Sequence, residues 1–206
     1  MKVLAIDQSL TNCACVIFDA SLDPMIPDHI IAYDVFHSDK EKHSYCRITS
    51  IANQVREFAD RYIDDIDRVA LEGLAFSAVG NAERDLAGLL AAIIACLPPK
   101  FHDLVNVHIL APTYVKYLAT GAGGAKKVDM ESALPDAVRV QFENTLVKDG
   151  RRDLADAYHV GQALIYQQVN GQVSDIGLVV KKPKTRTPKQ ERNIRVKKVQ
   201  KRLRKG

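Results

Sequence analysis

The chain has 206 residues, 47% of them hydrophobic, enough for one domain with its own core and unlike a disordered composition. No stretch approaches the roughly 18 consecutive apolar residues of a membrane span, and Met1-Lys2-Val3-Leu4 reads as the start of a strand rather than a secretory leader. Charge is unevenly divided: 13 of the 29 basic residues and one of the 25 acids fall in 181–206, net +12, which leaves residues 1–180 at net −8.

Taken in chain order, the apolar pattern begins with strands. Lys2 to Asp7, Cys13 to Asp19 and His29 to Phe36 are expected as three strands of an antiparallel meander, separated by turn-forming residues. Cys13 and Cys15 then share one strand face. A helix is expected from Ser44 to Tyr62, where Ile48, Ile51, Ala52, Val55, Phe58, Ala59 and Tyr62 fall at three- and four-residue steps. Asp67 to Gly73 is a short strand whose continuous Val69-Ala70-Leu71 core suits a central position.

The Ala- and Leu-rich segment 82–96, stopped by Pro98-Pro99, is expected as a buried or dimer-facing helix. Leu104 to Leu110 reads as a strand, and Pro112 to Leu118 as a short helix before the glycine-rich loop 120–124. A helix from Lys126 to Asn144 has Pro135 as its breaking point. The last helix, Asp153 to Gln168, packs through Leu154, Ala157, Tyr158, Gly161, Leu164 and Ile165, and 173–180 is a short strand or an extended arm. Three leading strands followed by alternating helices and strands imply an α/β fold, a mixed sheet with helices on both faces.

Four acids carry the chemical argument. Asp7 ends the first strand and Glu72 ends the buried one, while Asp153 and Asp156, three residues apart on a helix, project from one face. Each alone has a plain structural account as a turn, strand-end or helix-start acid. Together, half-buried carboxylates repel one another unless a cation lies among them. An oxygen-only set of this kind suits hard divalent cations such as Mg²⁺ or Mn²⁺. The chemistry that follows is two-metal phosphodiester hydrolysis, with Asp7 as the bridging carboxylate. No Ser/His/Asp or Cys/His pairing and no Walker loop is evident.

The segments Ala5-Ile6-Asp7-Gln8-Ser9-Leu10-Thr11, Leu71-Glu72-Gly73-Leu74-Ala75-Phe76, Thr120 to Lys127 and Asp153-Leu154-Ala155-Asp156-Ala157 together resemble RuvC-type Holliday-junction resolvases, especially compact phage-encoded relatives. The likeness spans residues 1–168 in order. It implies an RNase H-like fold, Asp7, Glu72, Asp153 and Asp156 as metal ligands, and Lys127 as a cation near the scissile phosphate. It also implies a homodimer that cuts two strands of branched DNA. Phe76 is either a base-stacking aromatic or a core residue. Gln8-Ser9 stands where cellular resolvases carry Pro-Gly after the first acid, and the basic tail has no counterpart in the resemblance.

The tail, with Lys181, Lys182, Lys184 and Arg186, then Arg192, Arg195, Lys197, Lys198 and Arg202, is expected to bind nucleic acid through phosphate contacts. Lys126 and Lys127 after the glycine loop are expected on the same ligand. The domain expectation is a nuclease domain over 1–180 and a DNA-binding tail over 181–206. His159 reads as a packed or solvated histidine rather than as a metal assistant. Cys13, Cys15, Cys46 and Cys96, without CxxC spacing, read as reduced, mostly buried thiols of a cytoplasmic protein. The competing readings are an RNase H-type or rRNA-processing nuclease of the same fold, and a non-catalytic DNA-binding protein with a degenerate site. An actin- or sugar-kinase-like ATPase is disfavoured, since it needs a second, similar domain and another glycine-rich phosphate loop, and about 180 residues is too short for both.

Overall fold

The computed structural model describes residues 1–20, 30–74, 81–102, 105–143 and 150–170. The order of elements is β1 (Lys2–Asp7), β2 (Asn12–Asp19), β3 (Ile30–His37), α1 (Ser44–Arg61), β4 (Arg68–Glu72), α2 (Asn81–Cys96), β5 (Val107–Leu110), α3 (Pro112–Thr120), α4 (Lys127–Ser132), α5 (Asp136–Glu143) and α6 (Gly150–Asn170). The strands form one sheet in the order β3-β2-β1-β4-β5. β1 pairs antiparallel with β2, and β2 with β3, while β1/β4 and β4/β5 are parallel. The three-strand meander and the mixed α/β sheet are as the sequence implies.

Period-two alternation divides the core into two layers. Leu4, Ile6, Cys13, Cys15, Ile17, Val69 and Leu71 pack on one face with Ile51, Val55 and Phe58 of α1 and Leu89 and Ile93 of α2. Val3, Ala5, Ala14, Val16, Phe18 and Ala70 face the other way, onto Leu154, Ala157, Val160 and Leu164 of α6 and onto Val115, Met130 and Val138 from α3, α4 and α5. Helices therefore cover both faces. The two strand cysteines share the first layer and carry free thiols.

The helix from Lys126 to Asn144 is broken at Pro135 as expected, because Pro135 has no N–H to extend the first part; Ala133 closes α4, and the Arg139 N–H donates to the Pro135 carbonyl in the next turn. Two elements differ from expectation. β5 begins at Val107 rather than Leu104, since Val105 is exposed and Asn106 lies in a turn. α6 is helical from Gly150, a turn before Asp153. In α2 only Leu89 and Ile93 are fully buried, with Leu86, Leu90 and Ile94 half-buried. The segment 173–180 lies outside the described residues. No described helix is long and apolar enough to cross a membrane.

Candidate active site

Strand parity brings the polar residues together. Asp7 shares the parity of Val3 and Ala5, so it points to the α6 layer at the end of β1. Glu72 has the parity of Ala70 and ends β4 beside it, because Ile6 is in register with Leu71. Asn12 has the parity of Ala14 and starts β2, and its register partner His37 ends β3. The α6 layer answers with Asp153 and Asp156, three residues apart and buried where the helix begins. Asp153 lies in the first turn, where the helix dipole favours a carboxylate.

Carboxylate oxygens of Asp7, Asp153 and Asp156 all lie within 4.8 Å of one another. Glu72 is not one of this trio, but its charge acts on Asp7. Burial, then the charges of Asp156 and Glu72, push the Asp7 carboxyl well above the usual aspartate range, while Lys127 pulls against them. Burial and the charge of Asp156 raise Glu72, opposed by Lys116 and Lys127. Burial also raises Asp156, again against Lys127. These acids are packed too closely to ionise together at ease.

Lys127 supplies positive charge. Its Nζ donates to Asp153 Oδ1 at 2.6 Å and lies 3.3 Å from Asp156 Oδ2. Burial disfavours the ammonium, but its hydrogen bond to Asp153 and the charges of Asp7, Asp153 and Asp156 outweigh that and raise its pKa above the ordinary lysine value. The glycine loop delivers this side chain. Gly121, at φ +77°, caps α3 in the left-handed conformation that suits glycine. The chain then re-enters a helix at Lys127, where the Lys126 N–H donates to Asp129 Oδ2 at 2.8 Å. Lys126 itself is exposed.

His159 Nε2 meets the Met130 carbonyl at 2.9 Å, and burial lowers its pKa; it is a packing residue that joins α6 to α4. Phe76 and the tail basics from Lys181 to Arg202 fall outside the described residues. Sequence reasoning passed over Asn12, whose Nδ2 donates to Asp153 Oδ2 at 3.0 Å, and Lys116, which acts on Glu72 and Asp156. Asn12 had a signal: once Cys13 and Cys15 face one layer, Asn12 must face the other. An all-oxygen set of clustered, mutually repelling carboxylates fits a hard divalent cation.

Solved structures share this arrangement of elements. Thermus thermophilus RuvC matches with a TM-score of 0.63 and 19% identity, over 82% of this chain and 97% of that one. T. thermophilus RuvC in complex with Holliday junction substrate matches with 0.63 and 19%, over 84% and 97%. The chain has the fold of the RuvC-type resolvases. The yeast mitochondrial Holliday junction resolvase matches this RuvC-type, RNase H-like fold more distantly, with a TM-score of 0.55 and 14% identity over 81% of this chain and 78% of that one. No protein-family model and no curated protein sequence matches the chain.

Proposed function

We propose that this protein is a divalent-cation-dependent endonuclease that resolves four-way DNA junctions by phosphodiester hydrolysis, leaving 5′-phosphates. The observation that carries the reading is the buried Asp7–Asp153–Asp156 trio with Lys127 against it, in a fold whose solved examples include a resolvase with junction substrate.

Asp7, Glu72, Asp153 and Asp156 would hold two Mg²⁺ or Mn²⁺ ions. Bound there, such ions supply Lewis acidity and lower the pKa of a water. The protein's own part is to fix the acids on rigid strand ends and a helix start, and to offer the Lys127 ammonium to a phosphate oxygen as charge develops. The Asp7, Glu72 and Asp156 carboxyls are held above their usual range. They therefore favour an arriving cation that removes their repulsion.

The same reading divides the chain into a nuclease domain over 1–180 and a basic DNA-binding tail over 181–206. It assigns Phe76, Lys126 and the tail basics to DNA and expects a homodimer acting in the cytoplasm, of the host if the chain is phage-encoded. Half-buried Leu86, Leu90 and Ile94 of α2 offer apolar surface for the second copy.

The test is Mg²⁺-dependent cleavage of a synthetic four-way junction beside matched duplex and RNA–DNA hybrid, for wild type and Asp7→Asn. Paired nicks near the branch that vanish in the variant are expected. Cutting of the hybrid alone would move the function to RNA removal. Junction binding with no cleavage would leave a DNA-binding protein without catalysis.

A further inference from the structure

Asp153 is held from both sides. One oxygen takes the Lys127 ammonium at 2.6 Å, and the other takes the carboxamide of Asn12 at 3.0 Å. An aspartate carboxylate on its single methylene can rotate about its terminal torsion, which has a broad energy well. Two donors arriving on different oxygens remove that freedom. Lys127 is a long, half-exposed side chain that a phosphate would draw away, so the fixed donor is Asn12, short and rooted at the start of a sheet strand.

The amide of Asn12 is itself held. Its Oδ1 lies 2.9 Å from His37 Nδ1, whose second neighbour, the Thr11 carbonyl at 3.3 Å, is also an acceptor. The Asp153 oxygen accepts, so the amide turns its nitrogen to Asp153 and its oxygen to His37, and Nδ1, facing two acceptor oxygens, donates. His37 thereby holds the oxygen end of the amide while its nitrogen faces the carboxylate. The backbone supports this arrangement, since Asn12 and His37 are register partners in the β2/β3 ladder and share the α6-facing side.

We propose that Asn12, oriented by His37, is the positioning residue for the Asp153 carboxylate, setting its geometry for divalent-cation binding. The inference rests on the nuclease reading above. Groups that hydrogen-bond to metal-binding side chains in this way typically contribute 10- to 100-fold in affinity or activity.

The experiment is calorimetric titration of the whole protein with Mn²⁺, for wild type, Asn12→Leu and His37→Ala, with thermal melts of each. Leucine keeps the volume and removes the amide; His37 is exposed, so its loss leaves the core alone. Asn12→Leu should weaken Mn²⁺ binding by about tenfold or more, with a melting temperature close to wild type. His37→Ala should weaken it less, in the same direction. The Mg²⁺ concentration for half-maximal junction cleavage should rise in the same ratio, while the rate at saturating Mg²⁺ largely recovers. A purely structural role would change the melting temperature and not this ratio. Wild-type affinity retained in both variants would overturn the inference and leave the nuclease reading standing. Absence of Mn²⁺ binding by the wild type would overturn both.

Discussion

At the scale of single residues, Lys127 and Asn12 touch the same carboxylate and should act in opposite directions. The Lys127 ammonium lies against Asp153 and Asp156, where on the proposed reading it would compete with a bound cation. Removing it leaves the acids with less compensation and more to gain from a metal. Lys127→Met should therefore bind Mn²⁺ more tightly than wild type. It should also cleave the junction about 100-fold more slowly at saturating Mg²⁺, since a donor aimed at developing phosphate charge is lost. Calorimetry and single-turnover cleavage read the two effects separately. Weaker Mn²⁺ binding would mean instead that Lys127 assembles the site rather than competing for it.

At the scale of elements, Gly161 marks where α6 packs closely against the sheet. A Cβ on Gly161 would come 2.3 Å from Phe18 Cε2 and 3.1 Å from the Ala5 Cβ. Phe18 is itself buried and packed on Tyr158, ring centroids 5.2 Å apart, so it has little room to yield. Overpacking of this kind costs about 1–3 kcal/mol, partly offset by the roughly 1 kcal/mol that alanine gains over glycine within a helix. Gly161→Ala should lower the melting temperature by a few degrees, and adding Phe18→Leu should restore part of the loss. A melting temperature above wild type would show that the helix shifts freely on the sheet. Gly161 was readable as a packing residue from its spacing along α6. The alternation of β1, the stripe of α1 and the Asp153/Asp156 step were readable in the same way, because each depends on a local period. What was not readable depends on tertiary register. Asn12 reaches Asp153 across 141 residues of sequence. Lys127 meets it only because the chain turns after Gly121 and packs α4 onto α6. The side chains of Asp153, Asp156 and His159 are buried although a first-turn acid and a lone histidine usually face water, since α6 is covered by the sheet on one side and by α3 and α4 on another.

At the scale of the whole molecule, charge sets a problem that the site cannot solve alone. Residues 1–180 carry net −8 and hold a cluster of acids at the proposed point of DNA contact, so their long-range field repels a polyanion. The 13 basic residues of 181–206 reverse the sign for the full chain. If they bind phosphate, they release counterions, and each contact contributes about 0.9 to the slope of log affinity against log salt. A chain ending at residue 180 should then bind a four-way junction more weakly at moderate salt and with a distinctly flatter slope. Its Mn²⁺ affinity and the dependence of low-salt cleavage on Asp7 should stay as in the full chain, because the trio and Lys127 all lie before residue 180. Binding measured by fluorescence anisotropy across a salt series, for both chains on the same junction, decides it. An unchanged slope would mean that the tail contacts no phosphate, and the attraction would have to come from basic residues of the body, such as Lys116, Lys126 and Lys127, acting against its net charge.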